Sequence, residues 1–359
     1  MKTSLSLFLL DLIFAAAHGE VITLAHPGDS LSPDQTVVWS PTFQAAWDQL
    51  NLKCGGLPVR VEPPNELMAR LDSFRWDARE VMPVGAWKAW CGPASQDFLK
   101  QVNEEAAVIT REPKGPFELL EYNPKNLAFF GLLDHKVEFL KEFFRSTKAP
   151  MKFKTSAGEQ PVQFFGVRGD LSGAMAGAVS VLAWRPVDGS HAIQIRCKQE
   201  DDTVILYHPP KNQDFATACL WLRTWRAALA SVQGHVDEWN DPQLHADDEI
   251  QIPYVSLKSK ADFPALLESV RFYTENENPW KINRAEQITR FELHEKGATV
   301  RVEASGEAAA SARSPTATRH FTYDRPFFVF LWRKDAEWPY FGAWIGDTSA
   351  LKAFAKENN

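Results

Sequence analysis

Hydrophobic positions change their period along this chain, and the changes mark its elements. After a short apolar run, Thr36 to Trp39, that stops at Ser40-Pro41, the residues Phe43, Ala46, Trp47 and Leu50 recur at spacings of three and four. That spacing predicts a helix with one buried face. Asn65 stands where it would cap a second helix over Glu66 to Phe74, and Ser95 where it would cap a short third carrying Phe98, Leu99 and Val102. Val81 to Trp90 reads as a strand, and Asn126 to Leu133 is a continuous apolar run of the kind found inside a sheet covered on both faces. Met151 to Phe153, Val162 to Val167, Val179 to Trp184, Ala192 to Cys197 and Thr203 to His208 continue the strand pattern, with an acidic connection at Gln199 to Asp202. Asp214 to Val232 is the clearest helical stretch, Ile250 to Leu257 a further strand, and Ala261 to Val270 a further helix. Strand runs with scattered helices and no regular βαβ alternation predict an α+β fold.

One stretch breaks these patterns. Ala298, Val300, Val302 and Ala304 alternate with Thr299, Arg301, Glu303 and Ser305 as in a half-buried strand. Just upstream, Ile288, Arg290, Phe291 and Leu293 form a strand-like run, and His294 to Gly297 between them reads as a turn, its glycine placed where positive φ costs little. A β-hairpin is expected. From Ser305 to Thr318 nearly every side chain is small or polar, so this part buries little and should lie exposed. Phe327 to Trp332 then reads as a fully buried central strand.

Composition narrows the class. A chain of 359 residues with 45% hydrophobic content buries a large core, and a formal charge of −7 without a Lys/Arg stripe argues against nucleic-acid binding. Met1-Lys2, the apolar Leu5 to Leu10 and the small patch Ala15 to Ala17 read as a secretory signal over residues 1–17, followed by a single domain over 18–359. Asp11 interrupts that apolar run. The run is too short to span a bilayer, and no other stretch is long and apolar enough. The expected location is therefore secreted or periplasmic. Cys54, Cys91, Cys197 and Cys219 leave one or two disulfides open, with the pairing unspecified, against buried free thiols. His235 to Glu249 is acidic and holds two histidines, but no metal-ligand spacing recurs in it; it reads as a solvated loop. No Ser/His/Asp set or phosphate loop presents itself, so neither an enzyme nor a cofactor is expected.

Residues Phe321-Thr322-Tyr323-Asp324-Arg325-Pro326-Phe327-Phe328 and Tyr340-Phe341-Gly342 resemble the carboxy-terminal strands of the serpins, the serine protease inhibitor family. Val38-Trp39-Ser40-Pro41, Leu127 to Phe143, Ala192 to Pro209 and Ile252-Pro253-Tyr254-Val255 resemble further family segments in the right order, so the resemblance runs from about Thr36 onward to a divergent, bacterial-type exported member. It implies a large mixed central sheet with smaller sheets, surrounding helices and an exposed reactive loop at about 297–323. There are departures. The family's first helix is missing or replaced, and Phe98 to Asn126 is too short for the helix that lies across the large sheet. Phe139 stands for the tryptophan beside the top of that sheet, and Phe43 for a shutter serine.

The resemblance further implies a mechanism in which a protease cuts the loop and the freed segment inserts as an extra strand, carrying the acylated protease with it. The scissile bond would be Arg313-Ser314, with Arg319 second, for a trypsin-like serine protease acting on a monomer. Glu295, Lys296, Gly297 and Ala298 would be the hinge, with Gly306 as the alternative register; Val300, Val302 and Ala304 would be the inserting face; Asp324, Arg325, Pro326 and Phe327 would anchor the loop. Burying Val300 and Val302 would favour insertion by ~1.5–3 kcal/mol each. Bulky Thr299-Val300-Arg301-Val302-Glu303 after the hinge departs from inhibitors and leaves a second reading beside inhibition, a secreted non-inhibitory binding or scaffold protein. A third state is open too, in which Ala298 to Ala304 is already paired with Phe291 to Leu293.

Overall fold

The computed structural model describes residues 21–56, 58–119, 121–146, 149–231, 241–263, 271–273, 279–299 and 318–354. In chain order, β1 (Ile22–Leu24) and β2 (Val37–Trp39) lead into α1 (Thr42–Lys53), followed by β3 (Arg60–Glu62), α2 (Glu66–Ser73) and α3 (Ala78–Val81). Next come β4 (Trp87–Ala94), α4 (Gln96–Thr110), β5 (Asn123–Leu133), β6 (Lys136–Glu138) and β7 (Phe144–Arg145). The middle of the chain supplies β8 (Met151–Thr155), β9 (Gly158–Val162), β10 (Phe164–Val167), β11 (Val179–Arg185), β12 (Ser190–Arg196), β13 (Asp202–His208) and α5 (Phe215–Ser231). The last part holds β14 (Glu249–Pro253), β15 (Val255–Asp262), β16 (Arg271–Tyr273), β17 (Pro279–Trp280), β18 (Ile282–His294), β19 (Gly297–Thr299), β20 (His320–Thr322), β21 (Phe327–Arg333) and β22 (Phe341–Ile345). The expected helix over Ala261 to Val270 starts inside β15, Phe263 after that strand is in no helix, and 264–270 lie outside the described residues.

Three sheets carry the architecture. A seven-stranded sheet runs β1-β2-β22-β21-β13-β12-β11, a six-stranded sheet runs β4-β5-β18-β19-β6 with β15 on β18, and a four-stranded sheet runs β20-β14-β10-β7. β21 is apolar at consecutive positions because both its faces are covered, as its sequence required: Phe328 and Phe330 pack on Phe215 of α5 at ring distances of 5.4 and 6.0 Å. On the other side the two large sheets meet, Phe291 of β18 stacking on Phe341 of β22 at 4.6 Å. The resulting core includes β2, β12, β13, β21 and β22.

The six-stranded sheet is clasped by helices on opposite faces. The periodic face of α1 buries Phe43, Ala46, Trp47 and Leu50 against Phe129 of β5 and Cys91 of β4. On the other face α4 begins where Ser95 accepts a hydrogen bond from the Phe98 amide at 3.2 Å and ends at Arg111, in the left-handed region at φ 56°. Its buried Val102 and Ala106, one turn apart, rest on Phe130 and Leu132 of β5 and Ile288 of β18. Helix α4 therefore lies over the line where β5 and β18 meet. Replacing Ser95 by Ala is expected to cost about 1 kcal/mol of stability, read as a lower urea midpoint at unchanged slope.

Candidate functional site

The line between β5 and β18 is split. In its lower part the two strands pair directly and in parallel, from Ile282 opposite Leu127 to Ile288 opposite Leu132. Above that, β19 enters between β18 and β6 and pairs antiparallel with both: Leu293 and Val137 face Ala298 from the two sides, and Glu292 and Lys136 face Thr299. Leu293, Ala298 and Val137 are all buried, so Ala298 points into the core. The hairpin expected from the sequence forms over three residues of β19; Val300, Val302 and Ala304, along with Arg313, Ser314 and Gly306, lie outside the described residues.

Gly297 is needed for space rather than for its φ. A Cβ placed there would sit 2.1 Å from the carbonyl oxygen of Val137, so only glycine lets β19 approach β6 this closely. That corrects the expectation of a positive-φ turn residue, since Gly297 is not among the residues with positive φ. Several contacts pin the turn before it. The amides of Phe143 and Phe139 donate to the carbonyls of Glu295 and Lys296 at 2.9 and 2.7 Å, and Tyr254 donates through its hydroxyl to the Glu295 carboxylate at 2.7 Å. Burial, then the bond to Glu295 and its charge, push the Tyr254 hydroxyl well up, so it stays a donor. Phe139 is fully buried and joins an aromatic cluster with Phe143, Phe165 and Tyr254 beneath the turn, at ring distances of 5.2 to 5.7 Å between successive members.

Small polar groups lie under the paired part of the seam. Ser40 donates to the Tyr340 carbonyl at 3.0 Å, Thr42 packs against Gly131 of β5, and Gln287 donates to Thr289 at 3.4 Å. Phe43 turns away to pack on Phe263. Where the split begins, a cleft opens between Thr110, Glu112 and Pro116 on one side and Leu132, Asp134, Ile288 and Arg290 on the other, and Arg290 donates across it to Glu112 at 2.9 Å. This ion pair ties the chain just after α4 to β18.

The chain returns from 300–317 through a second anchor. Arg319, the alternative cleavage residue, is withdrawn from any protease: its guanidinium is buried against Asp248 and also donates to the carbonyls of Asp241 and Gln243. Sequence gave no sign of this, because the partner carboxylate sits on a distant loop. β20 then runs parallel to β14, Tyr323 is buried and donates to the Leu206 carbonyl at 3.1 Å, and Lys154 meets Asp324 at 2.8 Å. Arg325 is half exposed beside Asp324, His208 Nδ1 donates to the Pro326 carbonyl at 3.0 Å, and Phe327 is buried at the start of β21.

Sequence comparison finds no matching family model and no matching curated protein. Shape comparison does find similar structures. The thermophilic serpin tengpin in its native state superposes with a TM-score of 0.53 at 11% identity, covering 88% of this chain and 89% of that one. This is a serpin fold. Human thyroxine-binding globulin (TM-score 0.52, 13% identity, 88% and 93% coverage) and human kallistatin (0.51, 14%, 88% and 92%) have the same architecture. The six-stranded sheet is mixed, β5 and β18 running parallel and its other pairs antiparallel, as the resemblance implied. One expectation is corrected: the stretch after Phe98 does hold a helix across that sheet. At 15 residues, α4 is roughly 22 Å long, enough to cross strands spaced about 4.8 Å apart.

Beneath the second anchor sit two buried histidines, His191 and His208, with rings 5.3 Å apart. Burial, with the charges of His208 and Arg325, lowers His191 to about 3; burial and Arg325 lower His208 to about 4. Both folded values lie below the unfolded one near 6.5, so the native state binds fewer protons and stability drains as pH falls from about 6.5 towards 4. The melting temperature should drop over that window, and His208→Gln should flatten the dependence; an unchanged slope would refute the coupling. For the turn, Gly297→Ala should expel β19, read as loss of hydrogen-exchange protection at the amides of Ala298, Phe139 and Phe143.

Proposed function

We propose that this serpin-fold protein is exported, loses residues 1–17, and acts as a monomeric bait for a trypsin-like serine protease, without catalytic activity of its own. Cleavage at Arg313-Ser314 would free the segment after Thr299 to extend down the seam. The observation that supports this reading is the register of β19. Carried past Thr299 in the pairing already present, Val300, Val302 and Ala304 come opposite Phe291, Thr289 and Gln287, whose side chains are buried on the same core face as Leu293. Arg301 and Glu303 then take the opposite face. The small and apolar members of the alternating sequence thus suit the inward positions.

Room for the segment has to be made. Where β5 and β18 are hydrogen-bonded to each other from Leu127 to Leu132, no strand lies between them, so the seam still holds an unused strand position. Gln287 pairs with Gly131 of β5, so a strand entering as far as Ala304 would have to displace that pairing. Insertion exchanges one ladder for two. Each added backbone hydrogen bond contributes roughly 0.5–1.5 kcal/mol net, and the valines add their burial.

A second reading rests on the same strand. Because Gly297 to Thr299 is already seated, part of the driving force is spent before any cut, which favours a slower, substrate-like serpin or a non-inhibitory binding protein. Incubation with trypsin separates the readings. The expected product is an adduct that survives SDS, abolished by Arg313→Ala. Clean cleavage with a raised melting temperature would leave insertion without trapping, whereas clean cleavage with no thermal change would sink the insertion mechanism altogether.

A further inference from the structure

We propose that Cys54 and Cys91 form a disulfide that ties the carboxy-terminal end of α1 to β4, an edge strand of the split sheet. All four cysteines are present as thiols in this structure, and the fold sorts them. Cys54 caps the end of α1 and packs into the same cluster that contains buried Cys91 on β4. Lys53, its chain neighbour, donates through its ammonium to the Cys91 carbonyl, which fixes the end of the helix against the middle of the strand. Cys197 and Cys219 lie elsewhere, the first beside Asp202 and the second on α5 near Asp214 and Arg223. Cys54 and Cys91 share the small cluster beneath α1 and are joined through the Lys53 contact, whereas Cys197 and Cys219 sit in the main core.

Exposure sets the order of events. Cys54 is partly exposed while Cys91 is buried, so an external low-molecular-weight disulfide meets Cys54 first. The Cys54 thiolate attacks one sulfur of that oxidant, forming a mixed disulfide and releasing one thiol. Cys91, after giving its proton to solvent, attacks the Cys54 sulfur and releases the second thiol. Two protons and two electrons leave the protein, and the oxidant becomes two thiols. Burial raises Cys54 and pushes Cys91 up to about 12, against the opposing pull of the Lys53 ammonium, and the charge of Cys54 acts on Cys91 as well. The reaction should therefore be slow at neutral pH and quicken as pH rises, because the thiolate is the attacking species.

The bond would matter to the seam. Admitting a strand between β5 and β18 moves them about 4.8 Å apart, and β4 is hydrogen-bonded along β5 while α1 packs beneath both. A covalent tie between α1 and β4 restrains that side of the sheet. The inference rests on the export reading, since an oxidising compartment favours such bonds, but its test does not depend on export, protease or insertion.

The test uses the full chain incubated with oxidised glutathione at pH 8.5, then digested without reduction. The expected result is a cross-linked peptide joining Cys54 to Cys91, lighter than the two reduced peptides by two hydrogens, with Cys197 and Cys219 still open to alkylation after denaturation. The oxidised protein should melt about 4–8 °C above the reduced one, and Cys54→Ser should abolish both the cross-link and the shift. Four free thiols after prolonged oxidation, a glutathione adduct held at Cys54 without the internal bond, or any other pairing would overturn the proposal. A failure to trap trypsin would leave it standing.

Discussion

Each backbone amide and carbonyl on the inner edge of β18 has room for one partner, and the molecule divides that edge between two. Its lower half belongs to β5 and its upper half to β19. Thr289, Arg290 and Phe291 stand between the two pairings, and a partner that advances beyond those three displaces the other. The glycine at 297, the polar cluster of Ser40, Thr42, Gln287 and Thr289, and the helix laid across the join all bear on where that boundary stands. Glu112 bonded to Arg290 sits at the boundary itself, so moving it requires breaking an ion pair and shifting the chain that follows α4.

The chain on either side of residues 300–317 is held by different physics. Upstream, β19 is kept by ladder hydrogen bonds and a close backbone approach, interactions that an identical ladder further down the seam can replace. Downstream, a buried arginine and aspartate, a buried tyrosine and an ion pair between Lys154 and Asp324 fix side chains to particular partners. Removing one member of a buried charge pair leaves the other uncompensated, so such an anchor does not slide. The asymmetry suits the proposed insertion, which needs the upstream end to extend and the downstream end to stay in place.

Much of the fold was legible in the order of residues. The periodic face of α1, the caps at Asn65 and Ser95, the continuous apolar runs of β5 and β21, and the hairpin at 294 to 299 all follow from local pattern, because burial against a neighbouring layer imposes the period of the element itself. Sequence reasoning failed where one element had to be measured against another. The stretch after Phe98 seemed short only because helix length was judged without the width of the sheet beneath it. Gly297 was credited with a φ it does not adopt, since the carbonyl of Val137 that demands its missing side chain comes from a strand far away in sequence. Arg319 looked like an exposed basic residue in a polar run until Asp248 supplied its partner.

The linear chain by itself determined which segments are strands and helices, which of their faces are apolar, and that one polar stretch near the carboxy terminus carries nothing to bury. Those properties depend on residues a few positions apart. Only the tertiary structure decided that β5 and β18 meet directly below and are held apart above, and that Cys54 lies by Cys91, Tyr254 by Glu295 and His191 by His208. Pairings between distant segments are set by the packing of whole layers against one another, and no short-range pattern encodes them.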